Sequence, residues 1–140
     1  MTTRILDTDT LSEILKGRNA QVVARARDYG AQAGRFTITA VTVLEVVSGW
    51  QRVGRAEKVQ QFLELLSNFE ILPLDTQVSE VAGRIEGDLV RTGQPIGRGD
   101  VMIAGIAVFH GFPLVTGNTA HYERVQSLGY PLQLDNWKRV

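Results

Sequence analysis

The sequence contains no cysteine among its 140 residues and only two histidines, His110 and His121. The absence of cysteine excludes disulfide bonds, thiolate metal sites and a cysteine nucleophile, and two histidines are too few for a typical zinc site. No apolar run approaches the roughly 20 residues of a membrane span, and residues 1–20 lack the apolar core of a signal peptide. We therefore expect a soluble cytoplasmic protein with no membrane partner.

The chain also lacks an excess of charge of either sign, with 15 basic residues against 15 acidic ones. A neutral total argues against a strongly basic nucleic-acid-binding protein. Lysine is scarce as well, since only Lys16, Lys58 and Lys138 occur and the remaining basic residues are arginines. Arginine favours bidentate contacts with phosphate groups, so the charge balance leaves a phosphate-bearing substrate open.

The length of the chain fits one domain spanning 1–140, and 44% hydrophobic residues suffice for a core. Short β-branched runs alternate with segments of helical periodicity. Strands are predicted at 4–6, 35–39, 70–74, 114–116 and 132–134, and helices at 9–16, 21–33, 40–50, 55–67, 77–92 and 100–109. This alternation predicts an α/β fold with a central parallel sheet of four to five strands, covered on both faces by helices.

Polar residues follow the predicted strands where such folds place their sites, outside the carboxyl ends of the strands. Asp7 comes directly after the first strand, and Asn118 and His121 follow the fourth. Glu45 interrupts an aliphatic segment, and Asp100 opens an apolar helix as its N-cap. Each residue also has a purely structural interpretation, as a turn residue, a helix cap or one half of an ion pair.

The combination of these residues favours a functional site. The segment Thr10–Glu13 matches a capping box, so the first helix has a cap without Asp7. A carboxylate among aliphatic side chains, as at Glu45, is costly unless it is paired or binds a cation. Two like charges 4 Å apart repel by roughly 4 kcal/mol at an effective dielectric constant near 20. Three carboxylates at one edge therefore predict either protonation or a hard cation such as Mg²⁺, which suits phosphodiester hydrolysis.

Five segments together resemble the PIN-domain ribonucleases, and more narrowly the VapC toxins of toxin–antitoxin pairs. They are ILDTDTLS at 5–12, TVLE at 42–45, IGRGDVMIA at 96–104, LVTGN at 114–118 and LDNW at 134–137. The resemblance implies a three-layer α/β/α PIN-like fold and an Mg²⁺- or Mn²⁺-dependent endoribonuclease that cleaves structured cellular RNA, such as tRNA or ribosomal RNA. It also implies a homodimer inhibited by a cognate VapB-type antitoxin, whose C-terminal segment covers the active site.

The resemblance further implies roles for individual residues. Four positions match the catalytic set of the family, and the three acidic ones among them match its metal-binding residues: Asp7, Glu45, Asp100 and Asn118. Thr8 and Thr116 match hydroxyl groups that support this set. On this comparison the site is assembled from the ends of the first and fourth strands and from two helices beside them.

Two positions depart from the commonest family pattern. Asp9 stands where many relatives have Asn, and we interpret it as a helix cap or as a supporting group behind the site. His121 stands near the position of a fourth acidic residue. Imidazole is a poor ligand for Mg²⁺, so His121 contacts phosphate, assists proton transfer, or is simply a surface residue of a short helix.

Arginines are the candidate RNA contacts, and Arg98, two residues before Asp100, is the nearest to the predicted site. The alternative for each is a solvated helix face or an ion pair with a neighbouring carboxylate. The further candidates are Arg18, Arg25, Arg27, Arg52, Arg55 and Arg91.

Three other functions remain as alternatives. A haloacid-dehalogenase-type phosphatase fits the DTDTL segment at 7–11 and Thr116, but its downstream lysine has only Lys138 to represent it. A receiver domain fits Asp75 as phosphoacceptor but lacks the later lysine. A non-catalytic antitoxin-binding subunit fits the apolar helices at 40–50 and 55–67, whose Trp50 and Phe62 suit a dimer or antitoxin surface.

Overall fold

The structure, a computed structural model, describes residues 2–139 as five strands and seven α-helices. The strands are β1 (Ile5–Leu6), β2 (Phe36–Thr39), β3 (Phe69–Leu72), β4 (Leu114–Val115) and β5 (Leu134–Asp135). The helices are α1 (Thr8–Lys16), α2 (Ala20–Ala33), α3 (Ala40–Arg52), α4 (Ala56–Leu65), α5 (Thr76–Arg91), α6 (Arg98–His110) and α7 (Thr119–Ser127), and a 3₁₀ turn (Leu66–Asn68) follows α4.

The five strands form one parallel sheet in the order β3-β2-β1-β4-β5. In the central strand, Ile5 is paired with Thr37 of β2 on one side and with Leu114 of β4 on the other. The chain builds outward from β1 to β3 and then returns to the opposite side of β1, so the direction of winding reverses there. The predicted parallel α/β architecture is confirmed, with five strands.

Alternating residues of the short strands serve two separate cores, because successive side chains of a strand point to opposite faces. Ile5 and Leu114 belong to the core formed with α5, α6 and α7, whereas Leu6 and Val115 belong to the core formed with α1, α2 and α4. Helix α3 contributes to both cores. Helices therefore cover both faces of the sheet, which gives the three layers expected of a PIN-like fold.

The beginning of α1 differs from the prediction. The helix starts at Thr8, and its N-cap is Asp7, whose side chain accepts a hydrogen bond from the backbone N–H of Thr10. Strand β1 ends at Leu6, so Asp7 lies between the strand and the helix. It has the extended conformation that a helix cap requires. The capping box predicted at Thr10–Glu13 is wrong, and so is the inference that Asp7 is not needed as a cap. The predicted end at Gly17 is confirmed by its left-handed φ of 66°.

Three further predictions need correction. Helix α6 begins at Arg98 with Gly97 as its N-cap, so Asp100 lies in the first turn and does not cap the helix. Helix α7 is missing from the predicted elements, because only Tyr122 and Val125 of its nine residues are buried and the apolar periodicity is weak. The fifth strand begins two residues later and ends one residue later than predicted.

Asp75 is the N-cap of α5, where its side chain accepts a hydrogen bond from the backbone N–H of Val78. A structural role thus accounts for the residue that a receiver domain would phosphorylate. None of the helices within residues 2–139 combines the length and the hydropathy of a membrane-spanning segment.

Candidate active site

The candidate residues lie at the carboxyl ends of β1 and β4 and on the helices beside them. This is the edge at which the winding reverses, and doubly wound sheets open a crevice for ligands at such a point. Asp7 follows β1, and Thr116 and Asn118 follow β4. Glu45 is supplied by α3 and Asp100 by α6.

Asp7 is the most deeply buried of the acidic residues, with 4% of its surface exposed. Its Oδ1 accepts a hydrogen bond of 2.8 Å from the backbone N–H of Thr10, which fixes the side chain as part of the helix start. Burial raises the pKa of the Asp7 carboxyl above its ordinary value, and hydrogen bonds from Thr116 and Thr10 offset only part of that rise. A desolvated carboxylate of this kind is stabilised by a nearby cation.

Glu45 is half-buried and is held by a group of threonine hydroxyls. Thr8 donates a short hydrogen bond of 2.6 Å to Oε1 of Glu45 and lies 3.0 Å from the hydroxyl of Thr42. Thr42 is in turn tied to Thr39, the N-cap of α3, through its backbone N–H. The hydroxyl support predicted for Thr8 is therefore a direct contact with one of the candidate carboxylates.

Gly99 brings α6 against Glu45. A Cβ atom at Gly99 would lie 2.5 Å from Oε2 of Glu45, a distance that side chains do not tolerate. The residue next to it in the chain is Asp100, so the start of α6 packs against the side chain of Glu45. The glycine at this position is thus a feature of the site.

Asp100 is held by side chains from α7. Its Oδ1 accepts a hydrogen bond of 3.1 Å from the hydroxyl of Tyr122, and its Oδ2 lies 3.1 Å from Nδ1 of His121. The side-chain amide of Asn118 lies 2.9 Å from the same Nδ1. Because Nδ1 carries one proton or none, it donates to Asp100 or accepts from Asn118 but does not do both. The structure thus links Asn118, His121 and Asp100 in one chain of polar contacts.

Tyr122 is a site residue that the sequence analysis missed. It is fully buried, and burial is the main reason that the pKa of its hydroxyl is far above the ordinary value. The negative charges of Asp100, Asp7 and Glu45 raise this pKa further, in that order. The hydroxyl of Tyr122 thus lies in a negatively charged environment and remains a neutral hydrogen-bond donor. An aromatic residue beside His121 in an otherwise polar segment was the available signal.

Thr116 and Asp9 lie at the edges of this group. Thr116 is fully buried, and its hydroxyl accepts a hydrogen bond of 2.9 Å from the backbone N–H of Asn118, so it shapes the turn after β4. Asp9 is exposed and does not cap α1. Its charge adds to the rise in the pKa of Asp7.

Arg98 is turned away from the carboxylates by an ion pair. Its guanidinium donates two hydrogen bonds, of 3.1 and 2.9 Å, to Glu86 of α5, and the side chain is 75% exposed. Ion pairs also engage Arg25 with Asp135 and Arg91 with Asp88. Arg55 likewise forms an ion pair with Glu57. The ion-pair alternative considered for the arginines therefore holds for these four.

The donor set of the site fits a hard cation by its chemistry. Within residues 2–139, no three His, Asp or Glu side chains are arranged as a group that could by itself hold a metal ion. Mg²⁺ is commonly held by only one or two carboxylates, with water and substrate phosphate as its other ligands. Asp7, Glu45 and Asp100 offer oxygen atoms only, and the buried carboxyl of Asp7 lacks a cationic partner among its hydrogen bonds.

Comparison with known proteins gives consistent results. The PIN domain family matches residues 4–127. The chain is 32% identical over 125 residues to a tRNA(fMet)-specific endonuclease VapC of Shigella flexneri, covering 89% of this chain and 92% of that protein. It is 29% identical over 134 residues to the protein of the same description in Salmonella typhimurium, covering 95% and 96% of the two chains. A crystal structure of DNA-bound VapBC from Salmonella typhimurium superposes with a TM-score of 0.82 and 28% identity, over 98% of this chain and 99% of that one.

Proposed function

Since the chain belongs to the PIN domain family and is a VapC-family endoribonuclease toxin of the VapBC toxin–antitoxin type, we propose that it cleaves structured cellular RNA in an Mg²⁺-dependent reaction and so arrests growth. Mn²⁺ is the alternative metal. The observation that carries the proposal is the position of Asp7 after β1, of Glu45 on α3 and of Asp100 at the start of α6, each with a carboxylate oxygen fixed by a hydrogen bond. These three carboxylates are the proposed metal ligands.

The chemistry that Mg²⁺ supplies when bound is activation of a water molecule and stabilisation of charge on phosphate oxygens. The protein contributes orientation. Asp7 is held by the backbone of α1, Glu45 by the hydroxyl of Thr8, and Asp100 by α7. Asn118 completes the catalytic set, and His121, which is 38% exposed, is available to a phosphate group or to a transferred proton.

A tRNA is the first substrate to test. Two relatives at 32% and 29% identity are described as tRNA(fMet)-specific endonucleases. Their similarity extends over 89% and 95% of this chain and over 92% and 96% of the two relatives. We therefore propose initiator tRNA as the leading candidate and ribosomal RNA as the second.

Cleavage-site mapping on total RNA, with and without Mg²⁺, tests this function. We expect discrete cuts that require Mg²⁺ and disappear in Asp7→Asn and in Asp100→Asn, because each variant removes one anionic ligand while keeping the shape of the side chain. Asp28→Asn is the matched control, since Asp28 is an exposed carboxylate on α2, and it should cut as the wild type does. Cleavage retained by either site variant would refute the assignment.

We also propose that a cognate VapB-type antitoxin occupies the groove between α1, α3 and α4. This groove has a volume of about 470 Å³, and apolar side chains such as Trp50 and Phe62 line it beside Lys16 and Lys58. Such a lining suits an antitoxin segment that carries both apolar and acidic residues. VapBC complexes are among the solved structures similar to this chain, which supports this partner.

The antitoxin proposal is tested by co-purification. Trp50→Ala should weaken capture of the co-expressed antitoxin while Mg²⁺-dependent cleavage is kept. Unchanged capture would place the antitoxin elsewhere. The proposed homodimer is measured on the same samples by light scattering, where a single-chain mass of 15.5 kDa would contradict it.

A further inference from the structure

Asp100 differs from Asp7 in how its carboxylate is held. Asp7 is buried and bonded to the backbone, whereas the side chain of Asp100 is 29% exposed and depends on side chains of α7. One of these, His121, is itself half-exposed and is shared with Asn118. Among residues 2–139, the other side chain that bonds to this carboxylate is Tyr122, which is fully buried.

We infer that Tyr122 is a positioning residue for Asp100: its hydroxyl, bonded to Oδ1, fixes the orientation of the carboxylate for metal binding. This inference rests on the proposed function, in which Asp100 is a metal ligand. It adds a residue from α7 to a site whose ligands come from β1, α3 and α6. Tyr122 itself does not touch the metal or the substrate in this arrangement.

The packing of Tyr122 explains how one hydroxyl group is sufficient to orient the Asp100 carboxylate. The ring is fully buried in the core that also contains Ile103 and Val125. A buried ring in a close-packed core occupies one rotamer, so the position of its oxygen is set by the fold. The hydrogen bond of 3.1 Å to Asp100 then transmits that position to the carboxylate. A phenylalanine would fill the same core, so the hydroxyl is explained by its contact with Asp100.

The charge of the partner is as important as its position. A lysine or arginine at this place would orient Asp100 but would also neutralise it and compete with a cation. The hydroxyl of Tyr122 donates a hydrogen bond without adding charge. It therefore directs the carboxylate while the negative charge of Asp7, Glu45 and Asp100 stays available to Mg²⁺. Hydrogen-bond partners behind metal ligands act in this way in many metal sites.

The test is Tyr122→Phe, which removes one oxygen atom and keeps the ring. Tyr130→Phe is the matched control, because the hydroxyl of Tyr130 donates a hydrogen bond of 2.6 Å to Asp88, a carboxylate outside the site. Mn²⁺ affinity is measured by isothermal titration calorimetry, and the Mg²⁺ concentration for half-maximal cleavage is measured in parallel. We expect both to weaken by about tenfold in Tyr122→Phe and to stay unchanged in Tyr130→Phe.

A double variant shows whether the effect passes through Asp100. If Tyr122 acts on that carboxylate alone, Asp100→Asn combined with Tyr122→Phe binds Mn²⁺ no more weakly than Asp100→Asn. A melting temperature in EDTA is recorded for each variant. Lower stability, or a lower maximal rate with an unchanged Mg²⁺ midpoint, would mean a merely structural role and overturn the inference.

The two proposals fail in different ways. Wild-type protein that binds no Mn²⁺ and cleaves without Mg²⁺ contradicts the proposed function and this inference together. Wild-type binding that Asp100→Asn weakens but Tyr122→Phe leaves unchanged contradicts the role of Tyr122 alone.

Discussion

Helix α6 packs against α5 and also contributes to the candidate site, and two of its glycines show how these two regions differ. A Cβ atom at Gly105 would lie 2.6 Å from the Cβ of Ala82 and 2.9 Å from its Cα, so α5 and α6 touch backbone to backbone. A Cβ atom at Gly99 would meet only the carboxylate of Glu45. The contact at Gly105 joins rigid backbone groups, so a substitution there affects the stability of the fold. The contact at Gly99 involves the end of a flexible side chain, so a substitution there affects the candidate site.

The same contrast holds for the side chains around each glycine. The contact between α5 and α6 is lined by apolar residues such as Ile85 and Ile103, whose burial stabilises the fold. The site brings together Asp7, Glu45 and Asp100, and burial opposes the ionised form of Asp7. The molecule thus gains stability at the helix contact and gives up part of it at the site, as functional sites commonly do.

The largest effect on stability is expected for Gly105→Ala. The added methyl group collides with the backbone of Ala82, and overpacking of this kind costs about 1–3 kcal/mol. The free energy of unfolding is measured by urea denaturation. Gly87→Ala is the control, because Gly87 lies in α5 with open space around its Cα, and it should stabilise the protein by about 0.5–1 kcal/mol. A Gly105→Ala variant as stable as the wild type would contradict the close helix contact.

Replacing a glycine with alanine at the candidate site should have the opposite result, with activity lowered and stability kept. Gly99→Ala forces Glu45 to move, and we expect cleavage at limiting Mg²⁺ to fall by about tenfold. Stability should be kept, because alanine favours the helix and only a side-chain end has to shift. Cleavage rates and melting temperatures of the two alanine variants, measured side by side, separate the regions. A Gly99→Ala variant that loses stability and keeps activity would contradict the distinction between Gly99 at the site and Gly105 at the helix contact.

Asp7→Asn should make the metal-free protein more stable at neutral pH. Because burial raises the pKa of Asp7 above its ordinary value of 3.8, the folded state binds this proton more tightly than the unfolded state. Wild-type stability therefore falls as pH rises from 3.8 through the raised pKa, and the loss persists above it. Asparagine keeps the cap and carries no charge. Urea denaturation in EDTA should show an advantage for the variant at pH 7 that vanishes in acid.

The smallest effect is expected for Arg98→Ala, at the boundary between the two regions. The ion pair with Glu86 is exposed to solvent, and such pairs add little to stability, so the melting temperature should stay within experimental error. If Arg98 exchanges Glu86 for an RNA phosphate, the slope of RNA affinity against salt concentration should fall by about one. An unchanged slope assigns Arg98 to its ion pair alone.

The fold was largely predictable because the periodicity of apolar residues reports directly on strands and helices. Helix α5 carries this signal clearly, with Val78, Ile85 and Leu89 buried at helical spacing. Helix α7 carries little of it, since most of its residues are polar. The start of α1 was wrongly predicted for another reason. Asp7 and Thr10 are both residue types that cap helices, and because β1 ends at Leu6 the cap is Asp7.

The candidate site was predictable in its acidic residues and not in the contacts that orient them. Asp7 and Asp100 stand at recognisable positions after a strand and near a helix start. The hydrogen bond from Tyr122 to Asp100 joins residues 22 positions apart in the sequence. It depends on how α7 packs on α6, which no local pattern reveals. The same is true of the approach of Gly99 to Glu45.

The central position of β1 has a consequence for synthesis of the protein. This strand is made well before β4, which is one of its two neighbours in the sheet. Asp100 and Tyr122 likewise reach the edge of the sheet at which Asp7 lies only after α6 and α7 have been made. Pairing between such distant segments cannot precede their emergence. A nascent chain that has not yet made α6 and α7 therefore lacks Asp100 and Tyr122, and with them part of the proposed metal site.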